Sequence, residues 1–237
     1  MHSSIMRHSA SLGACAAAAC CLLLPSAASA QVPAPPMGMA KRPMSKSMKK
    51  DMKEVIFKFK LLTGSAVQVL KRVGDLQREK KDPAIYAPAE HKLLMTWFST
   101  AKEEDVETLW NNYGKILQAA PETDQFVDHR LAYDPDDGSS RASAQGEGQP
   151  WWFVVLSPEY FKHQTGDGYW SQEGILLHEL SHIALHSADS LKAGDTFDKK
   201  QRLAVKDRVQ GKPQAGLIEA DCYAFFAEGA RELYSRR

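Results

Sequence analysis

Beyond residue 30 the sequence holds a single cysteine, Cys222, so that part of the chain has no internal disulfide and must be held by its core. No apolar run reaches the roughly 20 residues a bilayer-spanning helix needs, which argues against stable membrane insertion. Net charge is also lacking, at +1 overall, and no aromatic-basic interleaving or nucleic-acid motif is present, so no nucleic-acid partner is expected. The near-zero total hides an asymmetry. Residues 41–81 carry thirteen Lys/Arg against four Asp/Glu, and residues 82–237 carry sixteen against twenty-five. A basic helix over the first stretch is expected to present a solvated face and to contact the acidic remainder.

The first thirty residues form a recognisable leader. Arg7 and His8 precede an alanine-, cysteine- and leucine-rich run from Ala14 to Leu24, and Ala28-Ser29-Ala30 has the small-x-small form of a cleavage site. Residues 1–30 therefore read as a signal peptide, with a secreted or periplasmic destination. Leu12-Gly13-Ala14-Cys15 offers a lipid-attachment alternative, but its apolar run follows the cysteine instead of preceding it. Residues 31–50, with Pro33, Pro35, Pro36 and Pro43, read as a disordered linker, and residues 51–237 as one domain.

Within that domain the apolar positions Val55, Phe59, Leu62, Ala66, Val69, Val73 and Leu76 recur at spacings of four and three, predicting one long amphipathic helix over 51–81 or two broken near Gly64. The stripe favours packing on its own domain over a coiled coil. Trp97 and Phe98 are expected in the core. Glu103 to Ala119 predicts a second helix, with Val106, Leu109, Trp110, Tyr113, Ile116 and Leu117 at helical spacing and acidic residues in its first turn. Phe126 to Tyr133 alternates loosely, as a strand would, and residues 134–150 read as a solvated turn and loop. Trp151 to Leu156 is the clearest strand, placed to form an edge along which an extended peptide docks.

The chemistry concentrates in Gly174-Ile175-Leu176-Leu177-His178-Glu179-Leu180-Ser181-His182. On a helix, residues four apart lie on one face, so His178 and His182 can aim two nitrogens at one ion, with Glu179 beside them to take a proton from an acidified water. Two neutral nitrogen ligands, a third ligand and an adjacent carboxylate make up a catalytic zinc site. The alternative, histidines that merely pack on a half-buried helix, is weakened by the carboxylate in the right slot. His186, about 12 Å along the axis from His178, is too distant for a shared ion unless the helix breaks, and no glycine marks a break. Asp189, Asp195, Asp198, Glu219 and Asp221 remain as third-ligand candidates. Glu219 is followed by aspartate after two residues, not the four of a Glu-x-x-x-Asp zinc helix.

Several segments together resemble the aspzincins, the metallopeptidases that include deuterolysins and lysine-specific metalloendopeptidases. They are Thr96-Trp97-Phe98, Pro158-Glu159-Tyr160-Phe161, the Gly174–His182 motif, Gly194-Asp195-Thr196-Phe197-Asp198, and Glu219-Ala220-Asp221-Cys222-Tyr223-Ala224-Phe225-Phe226-Ala227. The resemblance implies an α+β, mostly helical, zincin-like fold: N-terminal helices, a small sheet and a zinc-binding active-site helix. It implies Asp198 as third zinc ligand, leaving Asp189 and Asp195 as solvated loop residues. It also implies Asp221 as a substrate-binding residue for a basic side chain after the scissile bond, or else a tie between the last helix and the zinc helix. Where the family has an oxyanion-stabilising tyrosine followed by glycine, this chain has Gln201 and Arg202; Tyr160, Tyr169 and Tyr223 are other possible donors.

The function this implies is a zinc-dependent metalloendopeptidase acting on protein or peptide substrates, with Glu179 as catalytic base and His178, His182 and Asp198 on Zn2+. The alternatives are a cell-envelope zinc hydrolase acting on muropeptides and a catalytically silent aspzincin-like binding protein.

Overall fold

The computed structural model describes residues 44–236, apart from 121, 139–140, 164–170 and 190–198. Its first element, α1 (Lys46–Arg78), is a single helix that runs through Gly64 without a break. Met52, Val55, Ile56, Phe59, Leu62, Ala66, Val69, Leu70, Val73 and Leu76 line one buried face, so the apolar stripe on both sides of the glycine outweighs its weak helix propensity. The helix starts five residues before the linker boundary read from the sequence. Ser45 Oγ accepts from Met48 N at 3.2 Å as an N-cap, and Met48 and Met52 supply apolar anchors within the lysine-rich stretch.

Two short helices follow, α2 (Pro83–Tyr86) and α3 (Pro88–Trp97), each opened by a proline. Next come α4 (Glu103–Ala119) and α5 (Thr123–His129). The span of α4 and its acidic first turn are those expected from the sequence, although Trp110 sits at the edge of the stripe and is exposed. The 126–133 segment divides instead of forming one strand. Its first part completes α5, and only β1 (Leu131–Tyr133) pairs in a sheet.

That sheet contains β2 (Ala142–Gln145) and β3 (Phe153–Leu156) in the order β1-β3-β2, with β1 parallel and β2 antiparallel to β3. β3 is therefore central and wholly buried, which corrects its reading as a docking edge. The edge beside the helix that carries His178 and His182 is β2, inside the stretch read as loop. Ala-Ser-Ala-Gln carries no β-branched or aromatic signal, so only the ladder to β3 makes it a strand. Ser157 N donates to Arg141 O, which sets the alternation of the pair and turns the N–H and C=O groups of Ala142 and Ala144 away from β3.

The C-terminal part supplies α6 (Gln172–Leu185), α7 (Lys199–Val209), α8 (Pro213–Ile218) and α9 (Ala220–Ser235). α6 lies at the centre of the fold, against α1, α4, α9 and β2. Trp97 and Phe98 are buried with Tyr113, Tyr223, Phe225 and Phe226, their rings 5.0–6.0 Å apart in tilted and edge-on pairs. Lys49 pairs with Asp128 at 2.7 Å and Lys53 with Asp124 at 2.8 Å, so α1 directs part of its positive charge at acidic residues of α5. Among the described residues no helix is long and apolar enough to cross a membrane.

Candidate metal centre

Helix α6 is buried from Glu173 to Ile183 on every face, which explains why its sequence is apolar almost all round. Ser171 caps it by accepting from Gly174 N at 3.1 Å. Ser171 N and Oγ in turn donate to Glu228 Oε1 at 3.2 and 3.0 Å, locking the start of α6 onto α9. Gly174 is required by this close approach, since a Cβ there would run into Glu228 Oε1 and crowd Ser171. At the other end His186 adopts φ 54°, ψ 39°, the left-handed conformation, and its N–H donates to His182 O. The helix does break here, without the glycine that the turn would ordinarily call for.

The break turns the chain back against α9. Ala188 N donates to Ile218 O at 2.7 Å and Ala220 N to Ala188 O at 3.1 Å, a parallel bridge between residues 188 and 219. Asp189 is thereby delivered to the two histidines. Its Oδ1 lies 3.1 Å from His178 Nε2 and 3.2 Å from His182 Nε2, and the two Nε2 atoms are 3.2 Å apart. One nitrogen from each histidine and one oxygen thus converge on a single point.

The far side of each ring has a partner of its own. His178 Nδ1 lies 2.9 Å from Asp221 Oδ1, and His182 Nδ1 lies 2.8 Å from the Ser187 carbonyl oxygen, to which it donates. With Nδ1 carrying the proton in both rings, the two Nε2 lone pairs face each other and the Asp189 carboxylate. Three electron-rich atoms held this close repel one another unless a cation sits among them, and a carboxylate or carbonyl behind each imidazole is the usual support of a metal ligand. The donor set of two imidazoles and one carboxylate fits a divalent metal of the zinc type.

Burial pushes the His178 imidazole down, but Asp221 and Asp189 hold it well above its ordinary value. His182 is raised as well, its burial outweighed by the bond to Asp189. Burial likewise opposes ionisation of Asp189, yet the two histidines hold its carboxyl far below the usual range. Glu179, next on the helix, accepts from Ala144 N at 2.7 Å on the outward side of β2. Burial raises its carboxyl, partly offset by His178, His182 and that N–H. A buried carboxylate with a raised affinity for protons, beside a cation site, suits proton transfer.

His178 and His182 face one point together with Asp189, and Glu179 follows His178 on the same helix. Asp195 and Asp198 lie outside the described residues; among the described residues the aspartate facing both histidines is Asp189, read from the sequence as a solvated loop residue. Nothing in the residue pattern signals its approach, because the left-handed turn that brings it in falls on a histidine. Asp221 faces His178 Nδ1 and is almost fully buried. Tyr160 donates to Gln172 O and Tyr223 to Leu217 O, while Arg202 stacks over the rings of Trp97 and Phe225, so these three oxyanion candidates are engaged elsewhere. Tyr169 and the Gln201 side chain lie outside the described residues.

The site is thus a central helix carrying two histidines and a glutamate, flanked by a small sheet and closed by a turn that returns an aspartate. The fold is shared with a solved structure, a zinc peptidase from Grifola frondosa, at a TM-score of 0.55 and 18% sequence identity, over 78% of this chain and 96% of that one. No protein-family model matches the chain, and no curated protein sequence does.

Proposed function

We propose that the chain is a zinc-dependent metalloendopeptidase of the aspzincin type, exported to the periplasm or the medium by its leader. The observation that carries this is the convergence of His178 Nε2, His182 Nε2 and Asp189 Oδ1 within 3.2 Å of one another, with Glu179 as their neighbour on the helix. Zn2+ held by these three residues would supply the Lewis acidity that acidifies a water and polarises a carbonyl. Glu179 would take the proton from the attacking water and deliver it to the departing amine nitrogen. The Ala144 N–H orients the Glu179 carboxylate for that task. The outward groups of β2 offer a peptide main chain an edge to pair with, beside Glu179. The charge of residues 122–198, fourteen Asp/Glu against four Lys/Arg, favours cationic substrates, and the family resemblance puts the basic residue after the cut.

The test is a peptide mixture derived from a proteome, and purified muropeptides, each incubated with and without chelator and mapped by mass spectrometry. Chelator-sensitive cleavage of peptides is expected, enriched in Lys or Arg after the cut. Glu179→Gln should retain the metal and lose at least about a hundredfold in turnover, the scale of general-base catalysis. Turnover within a few-fold of wild type would falsify the assignment of Glu179. Cleavage confined to muropeptides would make the chain an envelope hydrolase. A second reading, a zinc-holding protein without turnover, is favoured by the engagement of Tyr160, Tyr223 and Arg202 away from the metal centre. Metal binding with no cleavage of any substrate would establish it.

A further inference from the structure

Asp221 stands in the first turn of α9, 2% exposed, with Oδ1 2.9 Å from His178 Nδ1. The opposite nitrogen of that ring faces Asp189 at 3.1 Å and His182 at 3.2 Å. An imidazole's two nitrogens point in divergent directions, so a partner fixed on one of them sets where the other aims. The backbone immediately before Asp221 holds a second part of the site. Ile218 O accepts from Ala188 N at 2.7 Å, and Ala220 N donates to Ala188 O at 3.1 Å, which sets the position of Asp189, the next residue along. One four-residue segment, 218–221, therefore touches His178 directly and holds Ala188, the residue before Asp189. His182 is supported independently, by the Ser187 carbonyl.

We propose that Asp221 is a positioning residue of the metal centre: its carboxylate holds His178 with Nε2 toward the ion, and the segment leading into it clamps the turn that carries Asp189. This deepens the metallopeptidase reading and rests on it. Asp221 then acts through His178 and does not read the substrate side chain. Its burial and its contact with the imidazole leave no open carboxylate for a lysine or arginine to meet. A carboxylate behind a metal-ligating imidazole also raises the basicity of the nitrogen on the metal, so its loss should show in affinity before it shows in substrate choice.

The experiment uses the full chain as wild type, Asp221→Asn and Asp221→Ala, each titrated with Zn2+ against a chromophoric competitor and with Co2+ followed by its visible spectrum. Asp221→Ala should bind metal about 10–100-fold more weakly and change the Co2+ spectrum. Asp221→Asn can still accept from Nδ1–H through its amide oxygen and should recover part of that loss; being isosteric, it also serves if the alanine variant fails to fold. The cleavage profile of Asp221→Asn should keep its residue preference while the rate falls. Folded variants that bind metal as tightly as wild type would overturn the proposal. So would a profile that loses its basic preference at unchanged affinity, which would make Asp221 a substrate reader. A wild-type chain that binds no metal would remove the metallopeptidase reading as well, so the two failures are distinguishable.

Discussion

Among the described groups that face the site, Asp189 is the substantially exposed one, with about half of its side chain open, whereas both histidines are buried. A carboxylate so placed would complete a coordination shell around a bound zinc while leaving one side of the site open to water and substrate. Asp189→Ala is expected to lose its metal under mild dialysis, because two histidines alone under-coordinate zinc, whereas Asp198→Ala should retain it. Metal analysis of the two dialysed variants decides between them, and retention in Asp189→Ala with loss in Asp198→Ala would return the ligand to the position the family resemblance implies. The histidines were legible as a pair because a helix makes positions four apart neighbours whatever surrounds it. Asp189 was not, since its approach depends on a left-handed His186 and on a bridge from Ala188 to residue 219, 31 positions beyond Ala188. Short-range pattern carries neither.

Among the elements, α6 and α9 are joined through Glu228, whose burial pushes its carboxyl up to about 7 against the bonds from Ser171. Because its folded value lies above the ordinary 4.5, the fold binds this proton more tightly than the unfolded chain does. The stabilisation is complete below about pH 4.5 and is lost as pH rises through about 7. Integrated over that interval the effect is on the order of 3 kcal/mol. Glu228→Gln imitates the neutral acid. It is expected to unfold at higher denaturant than wild type at pH 8 and at nearly the same concentration at pH 4.5; taking the difference between the two proteins cancels the titration of the metal centre. An equal difference at both pH values would mean that Glu228 does not carry this proton. Helices α1, α4 and α6 were readable from apolar periodicity, down to the limits of α4, whereas part of α5 was read as strand. The small strand β2 was not, because alanine, serine and glutamine become a strand only where a partner strand offers hydrogen bonds.

At the scale of the whole molecule, α1, α4 and α9 enclose α6, so the metal centre is built from a helix that the rest of the core holds in place. Metal binding to the native state alone is then coupled to global stability, with Asp189 and Asp221 reaching the site from segments outside α6. At a thousandfold excess of free zinc over Kd the gain is about 4 kcal/mol, and for a domain of this size each kcal/mol moves the midpoint by about 2–4 °C. Stripping the metal is therefore expected to lower Tm by roughly 8–16 °C in differential scanning, with recovery on adding Zn2+ back. A chelator that leaves Tm unchanged would show that the metal is not part of the folded structure's stability. What the sequence determined by itself is local. Residue spacing set the amphipathic helices, the buried character of α6, and the placing of His178, Glu179 and His182 on it, because a helix converts order along the chain directly into neighbours in space. What only the tertiary structure decided is every contact between distant segments: Asp189 reaching the histidines, Asp221 behind His178, β2 as the edge that donates to Glu179, and the tyrosines engaged elsewhere. Those contacts depend on how whole elements pack, and packing is a property of the assembled core, not of any one stretch of residues.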